Sequence, residues 1–362
     1  MTLDLQACQA PRHGGNLGYA QARFGTPLLR WQDLSTGISP WSYPVPEVPA
    51  EVWQRLPGDL APLLNAAANY YGVAADKLLA LPGSQYAIQR FAQDLPAGRV
   101  AIPNPGYREH GQSWRAVGHQ CYEYQTLVQL QALVSTGVVD HAVVINPNNP
   151  TTEAIDPNQL AGLHDQLSGY LLIDEAFVDY RRSLSATHLL KYCPRLFILR
   201  SLGKFFGLAG LRLGFLLGTG SPRQALEDKL DDWVINHPAL WIGTRALKDC
   251  CWHTAQRARI TAHAQQLEQQ LNQVLGKGFE VYSAGLFTTL SGARKPLYQL
   301  YCYLARQGLF TRWCYETGDE ELTGEPVDAA AETVPAWLRI GLPPDNGERL
   351  GQALVKLVAA QK

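Results

Sequence analysis

Apolar residues in this chain gather into short, strand-sized runs: Val100-Ala101-Ile102, Ala142-Val143-Val144-Ile145, Tyr170-Leu171-Leu172-Ile173, Leu196-Phe197-Ile198-Leu199 and Leu213-Gly214-Phe215-Leu216-Leu217. A strand with one wet face alternates apolar and polar residues, whereas unbroken runs mark strands covered on both faces. Stretches of helical length, such as Gln159 to Leu167, separate several of the runs, so the pattern predicts an α/β fold built on a mostly parallel sheet. Ahead of it, Gly58 to Tyr71 carries a helical pattern with Gly72 as its stop, and Asp76 to Leu81 leads into the turn Pro82-Gly83-Ser84-Gln85.

The ends of the chain have a different texture. Residues 1–50 are rich in Gly, Pro and Trp, show little periodicity and close on Trp41-Ser42-Tyr43-Pro44-Val45-Pro46, which predicts an extended arm. Beyond Ser221 a long helical stretch is predicted from Trp241 to Leu275. A mixed segment follows, with Phe279-Glu280-Val281-Tyr282, Leu297 to Gln307 and Trp337-Leu338-Arg339-Ile340-Gly341. The expected organisation is an arm over 1–50, a large domain over 51–245 and a smaller α+β domain over 246–362, with no internal repeat.

Composition narrows the class. A chain of 362 residues is long enough for two cores, and 46% apolar with 17% charged residues and a formal net charge of -1 is the make-up of an ordinary enzyme. No basic field points to nucleic acid. Met1-Thr2-Leu3-Asp4-Leu5-Gln6 is not a charged leader before an apolar core, and no run approaches the roughly 18 apolar residues that span a bilayer, so a cytoplasmic protein with no membrane partner is expected. Seven scattered cysteines do not form a disulfide framework. Cys250-Cys251 lies beside His253 but lacks metal-ligand spacing, so reduced thiols and no metal are expected.

Candidate chemistry sits directly after the apolar runs, where ligands bind in open α/β sheets: Asn146-Pro147-Asn148-Asn149, Asp174-Glu175 and Arg200-Ser201. The last continues into Leu202-Gly203-Lys204-Phe205-Phe206-Gly207-Leu208-Ala209-Gly210-Leu211-Arg212. A lysine set among glycines, a hydroxyl and two arginines suits Schiff-base formation, for which pyridoxal 5′-phosphate (PLP) is the electrophile; taken alone, the same string is also a basic, Gly-rich surface loop. Ser201 and Arg212 are near enough in sequence to reach the phosphate of a cofactor tethered at Lys204. Asp174 can pair with a protonated pyridine nitrogen, and Asn149 offers an amide donor; taken singly, the one is also a helix cap and the other a turn.

The ordered series Gly83-Ser84-Gln85, Tyr107, Asn149, Asp174, Ser201, Lys204, Arg212 and Arg339 resembles the fold-type I PLP enzymes of the aspartate-aminotransferase superfamily, over most of the chain from about Tyr43 to Ile340. The resemblance implies a seven-stranded, mostly parallel sheet in the large domain. It implies that Lys204 carries the cofactor, Asp174 meets the pyridine nitrogen and Asn149 meets O3′. Ser201 and Arg212 would hold the phosphate, with donors from Gly83, Ser84 and Gln85. Tyr107 would stack on the ring, Tyr43 would reach the phosphate of a neighbouring subunit in a homodimer with shared sites, and Arg339 would clamp the substrate carboxylate. Where many relatives have a tyrosine three residues after the aspartate, this chain has Phe177.

His13-Gly14-Gly15-Asn16 and Asp33-Leu34-Ser35-Thr36-Gly37-Ile38-Ser39-Pro40 resemble the threonine-phosphate decarboxylases of cobalamin biosynthesis within that superfamily. That likeness implies a phosphorylated amino-acid substrate gripped at His13–Asn16, loss of its carboxylate, and a neighbouring synthase that takes the product. Arg339 could then serve either the α-carboxylate or the phosphate. Arg108 and His110, near Tyr107 in sequence, are weaker phosphate candidates, and a surface role is expected for each. The alternative is an aminotransferase of the histidinol-phosphate type, using nearly the same residues with 2-oxoglutarate and glutamate; a non-catalytic binding protein would have no use for the full set.

Overall fold

The computed structural model describes residues 13–25, 31–275, 278–315 and 335–360. Met1–Gln6 lies outside them. The chain divides into two compact units: one holds Trp41–Asn149 and Glu153–Ala258, the other the described residues up to Pro40, Pro150–Thr152 and those from Arg259 onward.

The larger unit is built on a seven-stranded sheet. Its strands, in chain order, are β1 (Leu78–Leu81), β2 (Arg99–Pro103), β3 (Gln120–Tyr124), β4 (His141–Ile145), β5 (Leu171–Asp174), β6 (Leu196–Ser201) and β7 (Gly214–Leu217). They lie in the spatial order β1-β7-β6-β5-β4-β2-β3. β7 pairs antiparallel with both β1 and β6. All other pairings are parallel. Every residue of β4, β5 and β7 is buried, which is why these runs read as unbroken apolar stretches. From β2 the chain moves outward to β3, then returns to β4 on β2's other side, and the crevice at such a reversal is where open α/β sheets bind ligands.

Most expected elements are present, with shifts that have local causes. The helix before β1 is Ala61–Tyr71, and Gly72 ends it in the left-handed conformation at φ 69°. Pro157–Gln166 starts at a capping box, Asp156 with Gln159. The long helix expected from Trp241 to Leu275 is two helices, His237–Lys248 and Cys250–Leu275, because Asp249 leaves helical geometry and its carboxylate accepts the Trp252 N–H at 2.9 Å. Two strands that the apolar runs did not announce complete the large sheet: β1, and the edge strand β3, whose polar residues face outward.

The smaller unit has a four-stranded antiparallel sheet. Its strands are β8 (Glu280–Ser283), β9 (Phe287–Ala293), β10 (Arg312–Tyr315) and β11 (Pro335–Gly341), in the order β10-β11-β9-β8. The helix Arg294–Arg306 covers it with Leu297, Leu300, Tyr301 and Leu304 buried. The N-terminal region is not wholly extended as expected: Leu17–Phe24 is a helix, capped by the Asn16 side chain and docked by Phe24 against Tyr301 and by Arg23 on the Tyr298 hydroxyl. Gln32–Asp33 then pairs in parallel with Leu309–Phe310. None of the six described cysteines is in a disulfide. Among the described residues no helix is long and apolar enough to cross a membrane.

Candidate active site

In the larger unit the polar residues cluster at the carboxyl ends of β2, β4, β5 and β6. Asp174, the last residue of β5, sits in register between Ile145 and Leu199 and is 4% exposed. Its Oδ1 accepts the Ala176 N–H at 3.0 Å, and its Oδ2 lies 3.0 Å from Nε2 of His110. A carboxylate only accepts, so His110 Nε2 carries the hydrogen of that bond. This corrects the surface position expected for His110: it has no exposed area, at the start of the helix Glu109–Ala116, whereas Arg108 is exposed. His110 is polar in a helix whose buried face runs through Gly111 and Trp114, and nothing in its own sequence neighbourhood marks Asp174, 64 residues away, as its partner.

Tyr107 follows β2. Its ring meets that of His110 edge-on at 6.2 Å, and its hydroxyl donates to Gln85 Oε1 at 2.9 Å. Gln85, Tyr107, His110 and Asp174 thus form one connected line. After β4 the loop is held by Asn146, whose side chain bonds Ile155 in both directions, and by Asn148, whose amide donates to Pro105 O at 2.9 Å across the crevice. Asn149 ends this loop half-buried.

Lys204 stands in a tight turn after β6, where the Gly207 N–H returns to Lys204 O at 3.1 Å. Leu202, Phe205 and Phe206 on either side of it are fully buried. Phe206 stacks on Trp252 at 5.5 Å, and Gln256 donates to both Phe205 O and Trp41 O. The turn is therefore fixed through its flanks while the lysine keeps part of its surface. The Lys204 Nζ lies 5.5 Å from the centre of the Phe177 ring. Tyr43 donates its backbone N–H to Phe206 O, and its ring packs edge-on against Trp252, 8% exposed.

Ser201 ends β6 and accepts the Gly203 N–H at 3.2 Å. Arg212 lies in the left-handed region at φ 54°, which turns its guanidinium toward the start of the helix Gln85–Arg90. A Cβ on Gly83 would stand 2.7 Å from Arg212 Nη2, and one on Gly214 would stand 2.5 Å from the Ser84 nitrogen. Both glycines let a guanidinium and the first backbone amides of a helix converge, and those amides have no carbonyl partner within the helix. A cation over helix amides is a cradle for a phosphate. With Lys204, Asp174 and Ser201 in the same unit, the residues present fit PLP.

Behind Asp174 and Ser201 lies a buried ionic cluster that sequence reasoning did not foresee. Arg200 bonds Glu175 at 2.6 Å and also Asp179, which accepts from the Tyr70 hydroxyl at 2.9 Å. Burial works to lower the Arg200 pKa, but Asp179 and Glu175 outweigh it and hold the guanidinium charged, while burial pushes the Glu175 carboxyl up. Since Arg200 adjoins Ser201 and Glu175 adjoins Asp174, the cluster ties the ends of β6 and β5 together.

In the smaller unit the structure unites the expected substrate residues around a segment not singled out for its contacts. Arg339 on β11 is 7% exposed, donates to Ser35 O, and lies 5.3 Å from the Phe287 ring. Burial lowers its pKa to about 10, which leaves it protonated at neutral pH. Arg312 on β10 is its direct cross-strand neighbour. His13 is exposed, Gly14 packs on Ser35, and Asn16 accepts the Tyr19 N–H at 2.9 Å. The Gly15 N–H is bonded to Ser35 Oγ at 2.7 Å, so that amide does not face outward for an anion.

Residues 54–354 match the family described as aminotransferase class I and II. The chain is 39% identical over 334 residues to the threonine-phosphate decarboxylase of Pseudomonas aeruginosa, covering 91% of this chain and 95% of that protein. It is 34% identical over 355 residues to a threonine-phosphate decarboxylase of Sinorhizobium sp., covering 95% of this chain and 98% of that protein. Among solved structures, the histidinol-phosphate aminotransferase from Sinorhizobium meliloti in complex with PLP superposes with a TM-score of 0.74 over 100% of this chain and 98% of that one, at 17% identity. The superposition establishes a shared fold.

Proposed function

From the fact that this chain belongs to the aminotransferase class I and II family, we propose that it decarboxylates L-threonine O-3-phosphate to (R)-1-amino-2-propanol O-phosphate and carbon dioxide. The observation that carries this reading is the extent of the likeness to threonine-phosphate decarboxylases, 39% over 91% of the chain, a span long enough to take in most of the sequence outside the cofactor residues. PLP is the cofactor, and when bound it supplies an electron sink for the pair left at Cα.

The residues divide the work. Lys204 would hold the cofactor, and its amine would be the group that returns a proton to Cα in place of the lost carboxylate. Asp174 holds a proton at the pyridine nitrogen, and its bond to His110 fixes the carboxylate that does so. Gly83, Ser84, Gln85, Ser201 and Arg212 would bind the cofactor phosphate, Asn149 would donate to O3′, and Tyr107, held by Gln85, would lie against the ring. Within the segment His13 to Asn16, His13, Gly14 and Asn16 take the substrate phosphate while Gly15 ties the segment to Ser35, and Arg339 takes the carboxylate. Binding at both ends of the substrate would fix which bond at Cα is presented for cleavage, and so would select carboxylate loss over removal of the Cα hydrogen.

Enzymes of this family are usually dimeric. For this chain we assign a homodimer with shared sites, completed by Tyr43 at the phosphate of the neighbouring subunit, a cytoplasmic location, and a place in cobalamin biosynthesis ahead of a synthase that takes the amine product. The test is to incubate the holoenzyme with L-threonine O-3-phosphate and, in parallel, with histidinol phosphate and 2-oxoglutarate. Carbon dioxide with aminopropanol phosphate is expected; glutamate without carbon dioxide would make the chain an aminotransferase of the histidinol-phosphate type.

A further inference from the structure

Ser35 is fully buried in the smaller unit and uses every polar atom it has. Its N–H and its hydroxyl both donate to Asp33 Oδ1, at 2.8 and 2.6 Å. Its Oγ accepts the Gly15 N–H at 2.7 Å, and its carbonyl accepts from the Arg339 guanidinium. The backbone around it is held on both sides, with Leu34 N–H on Phe310 O and Gly341 N–H on Leu34 O, each at 2.7 Å. Two glycines make this approach possible: a Cβ on Gly14 would stand 2.3 Å from Ser35 O, and one on Gly341 would stand 2.3 Å from Thr36 O.

The direction of bonding in this chain of contacts is set by chemistry. A hydroxyl has one hydrogen, and a carboxylate only accepts, so Asp33 takes the Ser35 hydrogen and leaves an Oγ lone pair for the Gly15 N–H. An ionised acceptor strengthens its own hydrogen bond and polarises the next. Without Asp33 the hydroxyl could turn its hydrogen elsewhere, and Gly15 would lose its fixed partner. The same residue supports Arg339 through its carbonyl, and the negative charge of Asp33 favours the buried guanidinium.

We propose that Asp33 and Ser35 are positioning residues that join the His13–Asn16 segment to Arg339, setting the group assigned to the substrate phosphate and the group assigned to its carboxylate at a fixed spacing. This rests on the substrate assignments above. It makes the pair a molecular ruler: a substrate is bound well only when its anionic groups match the separation that Ser35 maintains. The polar atoms of Ser35 are taken up by Asp33, Gly15 and Arg339, so the effect on binding is transmitted through Gly15 and Arg339.

The test uses the holoenzyme and the variants Ser35→Ala, Asp33→Ala and Asp33→Asn. Ser35→Ala is expected to raise KM for L-threonine O-3-phosphate by roughly tenfold or more, about the effect of one lost bond in a charged network, with a smaller change in kcat. Asp33→Ala should do the same, and Asp33→Asn, which keeps an acceptor oxygen, should recover much of the loss. Deuterium exchange read by mass spectrometry should show faster exchange in the peptide containing Gly15 in Ser35→Ala and Asp33→Ala, whether or not PLP is bound. Ser35→Ala combined with Arg339→Lys should cost less than the product of the two single effects, because the hydroxyl bond to Gly15 and the carbonyl bond to Arg339 meet at the same residue. The proposal is overturned if folded Ser35→Ala keeps the wild-type KM and wild-type exchange at Gly15, or if Asp33→Asn is as impaired as Asp33→Ala. If Ser35→Ala does not fold, the two Asp33 variants decide the matter. A wild-type holoenzyme that releases no carbon dioxide refutes the proposed function instead, while the exchange measurements still report on the coupling.

Discussion

Gly83→Ala tests the cofactor cradle with one methyl group. Gly83 has φ 88°, and a Cβ there would stand 2.7 Å from Nη2 and 3.3 Å from Cζ of Arg212. Left-handed backbone costs a residue with a Cβ about 1–2 kcal/mol. A 2.7 Å contact is not sustainable, so the guanidinium must retreat from the turn, and Arg212 is constrained by its own bond to Ala209 O at 3.0 Å. Losing a charge-assisted contact to a phosphate costs about 1.5–3 kcal/mol. With 1.4 kcal/mol per factor of ten, the dissociation constant for PLP should rise roughly tenfold to a hundredfold. Titration of the apoenzyme with PLP, followed by absorbance, measures it. Saturating PLP should restore most of kcat, since Lys204, Asp174 and His110 stand on other elements, and Arg212→Ala should add little to Gly83→Ala. Wild-type affinity in folded Gly83→Ala, with Arg212→Ala also harmless, would refute the assignment of Arg212 to the phosphate.

Lys204→Ala should abolish the absorbance band of the cofactor–lysine Schiff base and carbon dioxide release together, while Asp174→Ala retains some PLP and loses turnover by at least about a hundredfold, in the range of one catalytic acid–base group; spectra and product assays separate the two. Phe177→Tyr adds a hydroxyl three residues after Asp174 and should lower the midpoint of the pH titration of that band; identical midpoints would exclude a role for the missing donor. Acid should destabilise the larger unit through His141, whose Nδ1 accepts the Tyr170 N–H at 2.9 Å and whose pKa burial lowers from 6.5 to about 4. The folded state binds the proton less readily than the unfolded chain, so this stability is complete above pH 6.5 and is lost as pH falls toward 4, by on the order of 3 kcal/mol. Thermal melts across that window should show the loss, and His141→Gln should flatten it.

The strands that hold the site were legible because β4, β5 and β6 are nearly all buried and therefore nearly all apolar. The residues after them stood out as polar interruptions, which is how Asn149, Asp174, Ser201 and Lys204 could be picked from sequence. β3 was not legible because an edge strand with exposed Gln120 and Glu123 loses the apolar signature. The break at Asp249 was missed because residues on both sides favour helix, and only the side-chain cap on Trp252 shows where one helix ends. His110 was misread for a different reason: its polar partner is a carboxylate that arrives from β5, 64 residues away. The Arg312–Arg339 pairing and the Ser35 contacts are likewise products of register and topology, joining positions 27 and 304 residues apart. Local pattern reports what a residue's neighbours in sequence need, and these contacts lie beyond that reach.

The central claim is that Cα loses its carboxylate and gains a proton in its place. The most direct measurement is to run the holoenzyme on L-threonine O-3-phosphate in deuterium oxide, quantify carbon dioxide, and locate deuterium in the product by mass spectrometry. One carbon dioxide per product and one deuterium fixed at the former Cα are expected. Recovered threonine phosphate that carries deuterium at Cα with its carboxylate intact, and no carbon dioxide, would contradict the account and leave Lys204 acting as the base of an aminotransferase.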